Sequence, residues 1–177
     1  MEKRILLSGT GGQGIIAAGE FLSEALFKVG YEVVNTRSYG AEARGGSSRS
    51  EVLVSDREIF DLELGEVDVL VVLSNQAYAN FMARARKGAL TLIEAEILSK
   101  LDRDTIRNDV EIVSIPGNEM AMKLGNLIVA NMVFLGALAK LTGLLTLEKL
   151  EEAVKAVMRP TLQEVNILAV RAGYSIV

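Results

Sequence analysis

Arg4-Ile5-Leu6-Leu7-Ser8-Gly9-Thr10-Gly11-Gly12-Gln13-Gly14 passes from a short apolar run straight into a stretch with glycine at four of six positions. Behind it, Ile15, Ala18, Phe21, Leu22, Ala25, Leu26 and Val29 recur at helical spacing until Gly30 stops the pattern. Residues 31–36 read as a second strand. Strand, glycine turn, helix and strand make a βαβ unit, so the chain opens as an α/β fold. Gly9, Gly11 and Gly14 satisfy G-x-G-x-x-G at the strand-to-helix junction. There glycine lets the backbone approach an anion, and the helix end offers unpaired N–H groups and a positive dipole end.

Two ligand readings stay open at this turn. A dinucleotide-binding chain places an acid at the end of its second strand to hold the ribose, and here that place offers Asn35, Thr36 and Arg37. Arg37 suits a 2′-phosphate, which keeps an NADP-binding reductase or regulatory domain as the alternative function. Close strand-to-helix packing is the other use of such glycines. The chain has no G-x-x-x-x-G-K-[ST], so the turn is not a nucleoside-triphosphate P-loop.

Outward from this unit, residues 38–48 are small, polar and rich in glycine, and read as a loop. Its Tyr, Glu, Arg and three glycines are poorly explained by core packing. Residues 50–55 alternate, with Val52 and Val54 on one face and Glu51, Leu53 and Ser55 on the other, as an edge or antiparallel strand would. Residues 68–73 are nearly continuous in apolar character, the mark of a central parallel strand buried on both faces. Residues 75–87 read as helix, 89–93 and 110–115 as strands. Everything after Glu119 is helical, with breaks near Gly125-Asn126, at Thr142-Gly143 and at Arg159-Pro160-Thr161, and with Thr146 as a cap. The expected fold is a single α/β domain over residues 1–177. It has a Rossmann-like, mostly parallel open sheet, helices on both faces and a helical C-terminal third.

Composition narrows the chemistry. The 177 residues carry 19 Lys plus Arg against 23 Asp plus Glu, a formal charge of −4. No basic cluster is present to neutralise a row of phosphates, which argues against nucleic acid. There is no Cys and no His, so thiolate nucleophiles, Fe–S ligation by Cys and imidazole bases must come from another chain. No catalytic residue and no metal site is read in this chain. Residues 127–145 are apolar apart from Asn131, Lys140 and Thr142. A spanning helix needs about 20 predominantly apolar residues, so a buried helix is the reading and no membrane is expected. Hydrophobic residues make up 50% and mean hydropathy is +0.29. Such apolar excess, concentrated with methionine between Met120 and Leu145, predicts a buried interface with a partner chain or a symmetric copy. Asn118, Asn126 and Asn131 lie where these helices begin and are read as caps or loop ties, because an unpartnered buried amide costs about 1–3 kcal/mol. The N-terminus has no signal-peptide pattern, and the chain is read as cytoplasmic.

Three segments taken together resemble one family. They are the turn Gly9-Thr10-Gly11-Gly12-Gln13-Gly14, the loop from Ser38 to Ser48, and Gly125-Asn126 with the run from Asn131 to Leu138. In this order they resemble the gamma subunit of the 2-oxoacid:ferredoxin oxidoreductases. The loop form, Tyr39-Gly40-Ala41-Glu42-Ala43-Arg44-Gly45-Gly46, is followed by Ser-Glu-Val-Leu-Val-Ser-Asp from Ser50 to Asp56. It looks more like 2-oxoglutarate and related enzymes than the pyruvate form. Ala41 stands where the family commonly has Pro, which touches loop rigidity and not chemistry.

The resemblance implies oxidation of a 2-oxoacid with coenzyme A to acyl-CoA and CO2, with reduction of ferredoxin. Thiamine diphosphate, Mg and Fe–S clusters would belong to the whole complex. None of these is implied to be bound by this chain alone: it has no Cys, and no Gly-Asp-Gly with an Asn-bearing magnesium segment. The implied partners are alpha and beta chains, with a delta chain as a further candidate, ferredoxin through the complex, and a homodimer for the isolated chain. An indolepyruvate enzyme, in which a similar domain pairs with a larger chain, also fits. The resemblance further implies that Gly9, Gly11, Gly12, Gln13, Gly14, Tyr39, Gly40, Glu42, Arg44, Gly45 and Gly46 face coenzyme A or the active-site mouth. A purely architectural role for the same glycines is the third reading.

Overall fold

The computed structural model describes residues 1–39, 46–60 and 65–177. Six strands form one sheet: β1 (Glu2–Thr10), β2 (Glu32–Tyr39), β3 (Ser47–Ser55), β4 (Val67–Val72), β5 (Ala85–Glu94) and β6 (Glu111–Ile115). Their order is β2-β3-β1-β4-β5-β6. β1, β4, β5 and β6 pair in parallel, whereas β3 runs antiparallel to both β1 and β2. One face is covered by α1 (Ile15–Lys28), α4 (Gly117–Lys123), α5 (Ala130–Thr142), α6 (Leu147–Val157) and α7 (Pro160–Ser175). The other carries α2 (Asn75–Phe81) and α3 (Ala95–Leu98).

Strand parity explains the layers. Ile5, Leu7, Val69 and Val71 enter the thick helical layer, while Leu6, Leu70 and Val72 meet Ala77 and Phe81 beneath. Both faces of β1 and β4 are therefore apolar, as the continuous run at 68–73 requires.

Three expectations are corrected. Of the two alternatives for residues 50–55 the antiparallel one holds and the edge one does not: β3 is an interior strand, because β2 folds back along it. Its second face is buried too: Glu51 is 4% exposed, with its carboxylate on Arg84 at 2.8 Å and Arg49 at 3.2 Å. Ser38 and Tyr39 belong to β2, and Ser47 and Ser48 to β3, so the hairpin loop is shorter than its composition suggests. The helix expected over residues 75–87 stops at Phe81; a single tight turn follows, and β5 begins at Ala85. The guanidinium of Arg107 donates to the carbonyls of Met82 and Ala85 at 2.7 and 2.8 Å, which holds that junction from a distant loop.

Within the C-terminal helices, every residue of α5 from Ala130 to Ala139 is buried. α7 packs on it where Gly136 faces the backbone of Val170 and Gly173 faces the carbonyl of Val133. The apolar excess expected at a subunit interface is thus largely consumed inside the chain. Within the Met120–Leu145 stretch Met122, Leu127, Ile128 and Leu141 stay exposed, and Val157, Leu162, Leu168 and Ile176 do so in α6 and after. Among the described residues no helix is long and apolar enough to cross a membrane.

A side chain at Gly173 would overlap the Val133 carbonyl. Overpacking of this kind costs about 1–3 kcal/mol, more than the roughly 1 kcal/mol of helix propensity that Ala adds. Gly173→Ala should therefore lower the urea midpoint, and an unchanged or higher midpoint would contradict this packing.

Candidate functional site

The chain leaves β1 toward β2 on one side, and β4 lies on the other, so the strand order reverses between the carboxyl ends of β1 and β4. Open α/β sheets bind ligands in the crevice at such a reversal. The glycine turn occupies it. Leu73 N–H donates to the Ser8 carbonyl at 3.0 Å, and the Ser8 hydroxyl donates to the Val71 carbonyl at 2.6 Å, sealing the two strand ends together.

Gln13 crosses this junction. Its Oε1 accepts from the Thr10 N–H at 2.8 Å, while its Nε2 donates to the Leu73 carbonyl at 2.8 Å. Gly9 gives it room, since a Cβ there would lie 2.5 Å from Gln13 Oε1. From the opposite side, Asn131 Nδ2 donates to the carbonyls of Gln13 and Gly14 at 3.2 and 3.1 Å. Gly14 caps α1 with φ of +69°, and a Cβ on it would sit 2.5 Å from that amide. Asn131 is therefore the loop tie expected of it, and Asn126 the cap, accepting from the Ile128 N–H at 3.1 Å.

Beside the turn lies a recess of about 170 Å³ lined by Gly12, Gln13, Leu73, Asn118, Leu127, Ile128 and Ala130. Among the described residues no charged side chain lines it. Asn118 and Leu73 also line a neighbouring cleft of about 200 Å³, with Ser74, Glu94, Glu96 and Lys100. Sequence reasoning missed Glu94. The available signal was a carboxylate at the end of an apolar strand, Ala89-Leu90-Thr91-Leu92-Ile93-Glu94. It is 3% exposed, and its Oε2 accepts the Asn118 N–H at 3.0 Å. Burial pushes its pKa above the ordinary 4.5, against the lowering effect of the Asn118 N–H and others.

Of the expected site residues, Gly9, Gly11, Gly12, Gln13 and Gly14 are gathered at the strand reversal. Gly46 joins them, because its carbonyl accepts the Gly11 N–H at 3.1 Å. Tyr39 ends β2 opposite Ser48. Gly40, Glu42, Arg44 and Gly45 lie outside the described residues. Arg37, at the end of β2, is paired with Glu20 of α1, both side chains being exposed.

Residues 4–176 match the family model for pyruvate ferredoxin/flavodoxin oxidoreductase. The chain belongs to that family. It is 40% identical to the 2-oxoglutarate synthase subunit KorC of Methanocaldococcus jannaschii, over 99% of this chain and 94% of that one. It is 37% identical to KorC of Methanothermobacter thermautotrophicus, over 100% and 96%. The keto/oxoacid ferredoxin oxidoreductase gamma subunit from Geobacter sulfurreducens superposes with a TM-score of 0.82 at 34% identity, covering 97% of this chain and 96% of that one. The chain is a gamma subunit of a 2-oxoacid:ferredoxin oxidoreductase, part of an enzyme and not catalytic alone.

Two outcomes follow for this gamma subunit. Asn131→Ala should cost about 1–2 kcal/mol through two lost hydrogen bonds to the turn, and Asn131→Asp more, because a carboxylate would then face two carbonyl oxygens. Equal urea midpoints for both variants and the parent would contradict the tie. The raised Glu94 pKa means that the folded chain holds this proton more tightly than the unfolded chain does. Its favourable contribution is therefore complete below pH 4.5 and is lost as pH rises through the higher folded value. Glu94→Gln should gain stability over the parent as pH rises from 4.5 toward neutrality, read as diverging thermal midpoints; parallel curves would refute it.

Proposed function

We propose that this chain is the gamma subunit of a 2-oxoglutarate:ferredoxin oxidoreductase. That enzyme converts the 2-oxoacid and coenzyme A to acyl-CoA and CO2 with reduction of ferredoxin. The full-length likeness to KorC chains carries the reading, at 40% identity for one of them. Alpha and beta chains, with or without a delta chain, complete the assembly in the cytoplasm. They supply thiamine diphosphate, Mg and the Fe–S clusters, for this chain has no Cys to ligate iron.

Coenzyme A is the ligand the glycine turn suits. It brings the thiol that accepts the acyl group, and its phosphoryl groups match backbone N–H donors at a helix end. The turn presents those donors because Gln13 and Asn131 occupy its inward carbonyls and amide. The recess beside it, walled by Leu73, Leu127 and Ile128, suits an uncharged part of such a ligand. Tyr39, Gly40, Glu42, Arg44, Gly45 and Gly46 extend the same mouth in this reading, with the Arg44 guanidinium facing a phosphate or carboxylate. Exposed Met122, Leu127 and Ile128 supply apolar surface for a partner chain beside that recess in this reading.

Tagged chain recovered from its own cells under anoxic conditions should bring down an Fe–S-coloured complex. That complex should reduce a low-potential dye only with 2-oxoglutarate and coenzyme A together. A colourless chain without partners, or activity with another 2-oxoacid only, would overturn the assignment. In the active complex, Arg44→Ala should raise the apparent KM for coenzyme A about tenfold, the loss of one charge-assisted hydrogen bond. Unchanged kinetics would make that loop structural.

A further inference from the structure

Two carboxylates are buried among the described residues, and the chain treats them differently. Glu51, 4% exposed, is answered by the guanidinium groups of Arg84 and Arg49 at 2.8 and 3.2 Å. Glu94, 3% exposed, meets no cation among the described residues. Its Oε2 accepts the Asn118 N–H at 3.0 Å, and the charge acting on it is the like charge of Glu96. Buried charges are normally paired, because a lone one is costly to remove from water. In the isolated chain this carboxyl group is therefore a standing cost.

Glu94 is not sealed in, for it lines the cleft of about 200 Å³ at the carboxyl ends of β4 and β5. Ser74, Asn75 and Asn118 line the same cleft with uncharged polar groups. Lys100, its cation, is already paired with exposed Glu96 at 2.9 Å. Sites for cofactors and other small molecules run to about 300–1,000 Å³, so this space suits a single side chain. Leu73 and Asn118 also line the recess walled by exposed Leu127 and Ile128, which makes the cleft continuous with an apolar surface. An arginine anchored in a pocket beside apolar surface is common at the core of subunit interfaces.

We propose that this cleft receives an arginine side chain from a neighbouring subunit of the oxidoreductase, its guanidinium pairing with the Glu94 carboxylate. Arginine fits better than lysine because its planar fork is more weakly hydrated and meets a carboxylate with two parallel hydrogen bonds. Assembly then supplies the countercharge that Glu51 finds within the chain and Glu94 does not. The inference rests on this chain being one subunit of several and not on the coenzyme A reading. It gives Glu94 opposite effects before and after assembly, which a residue that only held α4 in place would not have.

The test follows dissociation of this chain from the purified oxidoreductase on dilution, read by mass photometry. Glu94→Gln should raise the dissociation constant at least about thirtyfold, although the same change raises the thermal midpoint of the isolated chain near neutrality. Glu96→Gln, which removes an exposed and already paired charge, should move the constant by no more than about twofold. Asn75→Phe, at an exposed position on the cleft wall, fills the cleft and leaves the Glu94 carboxyl group in place. It should weaken association whether or not Glu94→Gln folds. Phenylglyoxal, which modifies accessible arginine, supplies the direct readout. One arginine of another subunit should be shielded in the parent complex and modified in the Glu94→Gln complex. Association of Glu94→Gln or Asn75→Phe as tight as that of the parent would overturn the proposal, as would identical arginine modification in the parent and Glu94→Gln complexes.

Discussion

The structure depends on how a glycine-dense turn is held at the point where the strand order reverses. A backbone with so little side-chain contact of its own has many conformations, and glycine loses the most freedom on ordering. Two amides remove that freedom. Gln13 spans from the Thr10 N–H to the Leu73 carbonyl, tying the turn to β4, and Asn131 reaches in from α5 to the carbonyls of Gln13 and Gly14. With the inward-facing groups occupied, the N–H groups of Ile15, Ile16 and Ala17 at the start of α1 are left without a partner among the described residues.

That clamp requires α5 to be placed with little tolerance, and the rest of the C-terminal third does this. α5 is buried from Ala130 to Ala139, and two glycines let α7 approach it at backbone distance. The same approach buries much of the apolar surface of the C-terminal third inside the chain, while Phe27, Phe60, Met122, Leu127 and Ile128 remain exposed. Leu127 and Ile128, both exposed, form one wall of the recess beside the turn.

Much of this was legible from local pattern. The βαβ opening, the doubly buried strand at 68–73 and the helical third each follow from periodicity and breakers within a dozen residues. β3 was read only as edge or antiparallel, because its position depends on β2 folding back, and the burial of Glu51 depends on Arg84, 33 residues away. The helix over 75–87 ended early for a related reason: Arg107 fixes the turn before β5, and no local signal announces it. At the site, glycine spacing located the turn, but the pairing of Gln13 with Leu73 and of Asn131 with Gly14 spans 60 and 117 residues. The pairing of Arg37 with Glu20 likewise joins two elements 17 residues apart, and neither segment alone announces it.

The central claim is that this clamped turn faces coenzyme A in the assembled enzyme. Hydrogen exchange of the purified complex with and without coenzyme A, followed peptide by peptide, tests it most directly. The account predicts that coenzyme A slows exchange in this chain at the turn and the first turn of α1, residues 10–17, and leaves α6 and α7 unchanged. Protection confined to the other subunits, with residues 10–17 exchanging at the same rate in both states, would contradict it.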